Sequence, residues 1–173
     1  MLDKIIFKIY GGVKFARSKG VCVGENCRIL TGKFGSEPWL ISIGDNVTIS
    51  SEVLFLNHDG AGWLVNDDNG RRYRYAKISI GNHCFVGARA ILMPGVSIGS
   101  RCIVGAGTVV SKSIPSGYVV AGNPVKTICT YDDFEQRARE TWKSESDMRG
   151  ENRYERVNSI LDAFFKKNLT LRN

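Results

Sequence analysis

His58 and His83 are the only two imidazoles in the chain, and they bound the chemistry it can do. His58 stands in the stretch Asn57-His58-Asp59-Gly60, and His83 follows Gly81-Asn82. A free imidazole titrates at about pH 6.5, so it can take or return a proton near neutrality. Two histidines cannot supply the three that hold catalytic zinc in a His-only site. No paired carboxylates and no Ser/His/Asp set stand out. The five cysteines show neither zinc nor redox spacing. What remains is proton transfer by a histidine that precedes a segment rich in Gly, Asn, Asp, Arg and aromatic residues, residues 61–77. Taken alone, a loop histidine is more often a solvated or structural residue than a base.

The elements that must position it are repetitive. From Ile78 to Pro115 an aliphatic residue recurs at every sixth position: Ile80, Val86, Leu92, Ile98, Val104, Val110. Four of these are followed by Gly. Four residues after each stands a mostly small one: Cys84, Ala90, Val96, Cys102, Thr108, Ile114. A hexapeptide period belongs to parallel β-helices, in which each short strand turns a corner and the next coil stacks on it. Because strand side chains alternate, the outer members of Cys84-Phe85-Val86 and Cys102-Ile103-Val104 point inward and the middle ones outward. The outward positions read Phe85, Ile91, Ser97, Ile103 and Val109. Cys27, Cys84 and Cys102 fall at small inward positions, which makes them core filler. His83 falls in a repeat turn and reads as surface.

The flanking segments follow in order. Leu2, Ile5, Ile6 and Ile9 have helical spacing, with Lys4 and Lys8 between them, and Gly11-Gly12 ends that pattern. The helix is expected to pack on the repeats or a neighbour; its other reading is a basic interfacial helix on anionic lipid, residues 1–19. Repeats begin near Val23, lapse at Gly35–Ser42, and resume up to Gly60. Residues 61–77 then form a loop thrown out of one coil, and loops on rigid scaffolds tend to carry binding residues. The stretch Ala121–Lys126, AGNPVK, marks the exit. Beyond it Asp132 with Glu135 makes a capping box, followed by Phe134, Ala138 and Trp142 on one helical side. Tyr154, Val157, Leu161, Phe164 and Phe165 form a second helical face, expected to cover a repeat end or another chain. The expected organisation is an N-terminal segment over 1–20, a β-helix over 21–130 and a helical extension over 131–173.

The motifs SIGDNVTIS, NHDG, IGNHCFVGARAILMPGVSIG, VGAGTVVSKSIP and AGNPVK, between about Val21 and Ile128, resemble the hexapeptide-repeat acyltransferases. The sugar O-acetyltransferase branch, of galactoside and maltose type and of capsule and lipopolysaccharide type, is most similar. The resemblance implies an all-β solenoid, a left-handed parallel β-helix with three hexapeptides per coil, where the general rule for parallel crossovers would give right-handed coils. With three per coil, Phe85 stacks on Ile103 and Ile91 on Val109. That leaves two outward faces apolar, which a monomer rarely exposes to water. The family forms homotrimers, and a homotrimer is expected here.

The resemblance also assigns roles. His58 matches the general base that removes the acceptor hydroxyl proton while the oxygen attacks the acetyl-CoA thioester. Ala88 matches a backbone N–H donor to the oxyanion, at a position where the family often has Ser. Phe85 stands where relatives carry Trp, near the base on the acceptor side. Gly87, Ala88, Gly105, Ala106, Ser111 and Lys112 match a coenzyme A groove between two subunits, in which small residues permit close approach. Lys126 matches a basic position near the coenzyme phosphates, while the family's second basic position falls at Cys129. For the acceptor, Glu37, Asp59, Trp63 and Arg71 are candidates: carboxylates accept sugar hydroxyl hydrogen bonds and an indole stacks on a sugar face. Acetyl-CoA is the expected co-substrate, with no metal.

Composition excludes other classes. A chain of 173 residues, 43% hydrophobic and 24% charged, fits one soluble domain with a small appendage. No apolar run approaches the roughly 20 residues of a membrane span, and no secretory h-region follows the start. Scattered, odd-numbered cysteines suit a reducing cytoplasm. The net charge of +7 is concentrated in the first 33 residues, where seven Lys/Arg face only Asp3 and Glu25. No nucleic-acid-binding motif accompanies it, so no nucleic acid partner is expected. The expected function is acetyl-CoA-dependent O-acetylation of a sugar in a surface polysaccharide or its precursor. The alternatives are acetylation of an antibiotic hydroxyl, N-acetylation of an amino sugar, or a non-catalytic β-helix that only assembles with partners.

Overall fold

The computed structural model describes residues 2–162; in the first helix the side chains of 2–6 and 8–10 lie outside that description. The chain forms two compact units, Met1–Phe134 and Glu135–Asn173.

In the first unit, helix α1 (Leu2–Ser18) precedes β1 (Cys22–Val23), β2 (Arg28–Ile29), β3 (Ile41–Ile43), β4 (Thr48–Ile49) and β5 (Leu54–Phe55). A hairpin of β6 (Asn66–Asp67) and β7 (Gly70–Arg71) interrupts them. Then come β8 (Ile78–Ile80), β9 (Phe85–Val86), β10 (Ile91–Leu92), β11 (Ser97–Ile98), β12 (Ile103–Val104), β13 (Val109–Val110), β14 (Tyr118–Ala121) and β15 (Lys126–Thr130). The chain visits three sheets in rotation. The first holds β1-β3-β8-β11, the second β2-β4-β9-β12-β14-β15 and the third β5-β10-β13. All pairings in these sheets are parallel except β14 with β15, which closes the end through the AGNPVK turn.

The register matches the hexapeptide reading. Phe85 pairs with Ile103 and Ile91 with Val109, eighteen residues apart, as three hexapeptides per coil require. Across the loop Leu54 pairs with Ile91, thirty-seven residues apart, so the loop adds nineteen residues without breaking the stack. Every inward position expected from the sequence between Ile80 and Ile114 is buried. Truncating one of these, such as Leu92 at 0% exposure, would cost about 2–5 kcal/mol.

Side chains satisfy the turn amides. Asp45 Oδ1 accepts from Glu25 N at 2.7 Å, Asn82 Oδ1 from Asp45 N at 2.9 Å, and Ser100 Oγ from Asn82 N at 3.0 Å. One corner column is thereby laced from coil to coil, which pairs polar backbone that stacking would leave unmatched. His83 occupies this column in the left-handed region, as Asn46 and Arg101 do, and it is exposed.

The helical pattern breaks at Gly11 as the sequence predicts: Gly11 takes φ 77° and ψ 163°, and a second helical stretch then runs on to Ser18. Gly12 lies against the repeats so closely that a Cβ there would sit 1.8 Å from the Ile29 carbonyl oxygen. Phe15 and Ala16 are buried, and Phe15 continues through Phe34 to Phe55 in the core. Arg17 donates to Val23 O and Gly24 O and pairs with Glu25. The latter half of the segment assigned to lipid in the second reading is thus packed on the first coil. The side chains of Leu2, Lys4, Ile5, Ile6, Lys8 and Ile9 lie outside the described residues.

The last strand leads into α2 (Tyr131–Thr141). The capping box is two residues earlier than the sequence predicts: Thr130 Oγ1 accepts from Asp133 N, and Asp133 Oδ2 accepts from Thr130 N. Thr130 ends a strand, so its extended backbone suits an N-cap better than Asp132 inside the first turn.

The second unit is held by local bonds. Ser144 and Asp147 cap one turn reciprocally, and Asn152 caps α3 (Arg153–Ser159) by accepting from Glu155 N. Backbone hydrogen bonds from Ser144 and Glu151 hold the Asp147 and Glu155 carboxyls below their ordinary values. Trp142, Tyr154, Val157 and Leu161 are exposed in the single chain. Phe164 and Phe165 lie outside the described residues.

Candidate functional site

His58 leaves the third sheet at the corner after β5, and three backbone contacts fix it. Ala76 N donates to Asn57 O at 2.8 Å, Asp59 N donates to Arg74 O at 3.0 Å, and His58 bridges Tyr75. The loop is therefore closed at its base, with His58 on the closure. Glu37 approaches from the turn Pro38–Leu40, where the repeat lapses, and its Oε2 lies 2.8 Å from His58 Nδ1. The Glu37 side chain is 14% exposed and that of His58 42%. A carboxylate can only accept, so it selects the tautomer with hydrogen on Nδ1 and leaves the Nε2 lone pair as the base. The Tyr75 ring stands 5.7 Å from the imidazole.

The sequence reading put Glu37 on the acceptor; its carboxylate is on His58. The signal was weak because the partners are 21 residues apart and Glu37 lies where the phase is lost. Asn57, one residue before His58, is 1% exposed, and neither end of its amide has a hydrogen-bond partner among the described residues. The sequence places it in the NHDG stretch but gives it no role there.

The other acceptor candidates lie on the loop. Asp59 accepts from Ala61 N at 2.9 Å, capping the turn Gly60–Leu64. One of its two carboxylate oxygens is thus engaged with the backbone. Arg71 lies 4.6 Å from the Trp63 ring centre and 4.8 Å from that of Tyr73. Trp63 and Arg71 are thus together, with Tyr73 as a third member. The Tyr73 and Tyr75 rings are nearly parallel, 11° apart, with centres 6.2 Å apart. Arg72 pairs with Asp67 across the hairpin. Phe85 is on the outward face of the second sheet, 41% exposed.

The coenzyme candidates divide between two corners. Gly87 and Ala88 turn from β9 to β10, and Gly105 and Ala106 make the same turn one coil on. A Cβ on Gly87 would stand 2.5 Å from Ala106 N, so only glycine fits the stacking there. Ala88 O accepts from Gly107 N at 2.8 Å, while Ala88 N–H meets no acceptor among the described residues. Ser111 and Lys112 follow β13, on the corner column that carries His58. Lys112 and Lys126 are brought together in a cleft of about 340 Å³, with Ser113, Pro115, Tyr118 and Thr127. Cys129 is half-buried on β15, opposite Val119. Within one chain, His58 and Ala88 stand at opposite ends of the third sheet.

Burial removes the stacked Cys84 and Cys102 from reach of a substrate. Cys84 and Cys102 are buried and stacked in adjacent coils; their mutual hydrogen bond and burial push the Cys84 thiol far above its ordinary range. No helix among the described residues is long and apolar enough to cross a membrane.

Residues 77–112 match the family model described as the hexapeptide repeat of succinyl-transferase. The chain is 45% identical over 127 residues to protein CapG of Staphylococcus aureus, a match covering 72% of this chain and 74% of that protein. It is 32% identical over 124 residues to galactoside O-acetyltransferase of Escherichia coli K12, covering 70% and 59% respectively. A solved galactoside acetyltransferase in complex with coenzyme A superposes with a TM-score of 0.55 at 24% identity, over 75% of this chain and 74% of that one.

Proposed function

The chain belongs to the hexapeptide-repeat acetyltransferase family, and from that premise we propose that it transfers an acetyl group from acetyl-CoA to a sugar hydroxyl of a surface polysaccharide or its precursor. In this reading the three-sheet coil is a left-handed β-helix and three chains assemble around it. The observation that carries the reading is the His58–Glu37 pair, an oriented imidazole on a loop closure with Nε2 left as the base.

His58 Nε2 takes the hydroxyl proton as the sugar oxygen attacks the thioester carbonyl carbon. The charge that develops on the carbonyl oxygen is met by the Ala88 N–H, a donor without an internal acceptor. The C–S bond then breaks, the sulfur leaves as thiolate, and His58 returns the proton to it. Glu37 holds the ring and stabilises the imidazolium that forms between the two steps.

The separation of His58 from Ala88 supports an assembly. Both can serve one reaction only if one chain supplies the base and its neighbour the amide. The outward residues Phe85, Ile91, Ile103 and Val109, exposed or half-buried in one chain, are the surface such an assembly would cover. In this reading Lys112 and Lys126, which share one cleft, meet the coenzyme phosphates, and Gly87, Gly105, Ala106 and Ser111 line its pantetheine. The five free cysteines fit a reducing cytoplasm. Thiol release from acetyl-CoA tests the reading: it is expected to depend on added glycan acceptor. Release that no glycan stimulates would favour a non-catalytic assembly protein.

A further inference from the structure

We infer that Trp63, Tyr73 and Tyr75 form a glycan platform leading away from His58, so that the acceptor is a chain of sugar rings rather than a free monosaccharide; this rests on the sugar-acetylating reading above. Tyr73 and Tyr75 are two residues apart on an extended stretch, which puts both rings on one side. Their rings are nearly parallel, 11° apart, with centres 6.2 Å apart, too far for one to cover the other. Each keeps an open surface: Tyr73 is 64% exposed, Tyr75 54% and Trp63 69%. The line begins at the base, since Tyr75 is 5.7 Å from His58. It continues past Tyr73 to Arg71, whose guanidinium lies between the Tyr73 and Trp63 rings.

Loop stability does not require these rings to be outside. The loop base is closed by the Asp59–Arg74 and Ala76–Asn57 backbone bonds, and Asp59 caps the turn that carries Trp63. Arg71 makes no ion pair among the described residues; its contacts are the two ring faces, which it holds in orientation. Aromatic faces of this kind, apolar with a polar edge, suit the C–H faces of pyranose rings whose hydroxyls stay in water. A ring bound over Tyr75 reaches His58, and the next rings along the chain lie toward Tyr73 and Trp63.

The test is binding and turnover with graded acceptors, galactan and polygalacturonate fragments from a single ring to a hexamer. Affinity in at least one series is expected to rise about tenfold or more from monomer to tetramer. Tyr73→Ala is expected to flatten that rise, and Tyr73→Phe, which keeps the ring, to preserve it. Equal affinity at every length in both series, or the full rise retained in Tyr73→Ala, overturns the platform. Thiol release in the same samples separates the two readings. A length-dependent affinity without transfer would leave the platform and remove the acetyltransferase assignment; transfer with flat affinity would do the reverse.

Discussion

Glu37→Ala removes the only ion-pair partner of His58 among the described residues while leaving the loop closure, formed by backbone, in place. The Oε2–Nδ1 distance of 2.8 Å and the 14% exposure of the carboxylate describe a charge-assisted bond largely out of water. Such a bond to a charged group contributes about 1.5–3 kcal/mol. The imidazole is neutral before proton transfer and cationic after it, so most of that sum appears when the imidazolium forms. Turnover is therefore expected to fall by about 10–10²-fold, with the KM for acetyl-CoA unchanged. Glu37→Gln, which can still accept from Nδ1 but carries no charge, should fall between wild type and Ala. Steady-state thiol release at saturating acceptor gives kcat, and thermal unfolding checks that the fold is intact. A Glu37→Ala protein with wild-type kcat, or one whose whole loss lies in KM for acetyl-CoA, would refute the orienting role.

Two further outcomes follow from the same geometry. Ile103→Glu places a carboxylate on the outward strip beside Phe85, where an assembled protein would bury it at a cost of several kcal/mol; light scattering should show smaller particles and thiol release should be lost, whereas a wild-type protein active as a monomer would contradict the assembly. Lys126→Ala removes one surface charge worth about 1 kcal/mol at most from the cleft it shares with Lys112, so KM for acetyl-CoA should rise severalfold with kcat unchanged, and an unchanged KM would take Lys126 out of the coenzyme site.

What the sequence carried was whatever depends on short range. Each hexapeptide repeats the same local task, a small inward residue, an outward residue, an aliphatic inward residue and a corner. The burial of Cys84, Val86, Cys102 and Val104 was therefore readable from spacing alone. The loop was readable too, because Ala61–Lys77 breaks a phase that is otherwise kept. The His58–Glu37 pair was not, because Glu37 comes from an irregular turn in the preceding coil and only stacking brings the two together. The same holds for Tyr73 and Tyr75: their alternation in Arg72-Tyr73-Arg74-Tyr75 was visible, but their line to His58 depends on how the loop closes. The cap at Thr130 differed for a simpler reason. Acidic residues near a helix start permit several local caps, and the extended end of β15 chose among them.

The central claim is that His58 is the base of a direct acetyl transfer, and His58→Ala tests it most directly. Thiol release with acetyl-CoA and a glycan acceptor should fall by ~10²–10⁴, the usual contribution of general acid–base catalysis, while coenzyme A binding and assembly stay as in the wild type. A His58→Ala protein that turns over at near the wild-type rate would remove His58 from the mechanism.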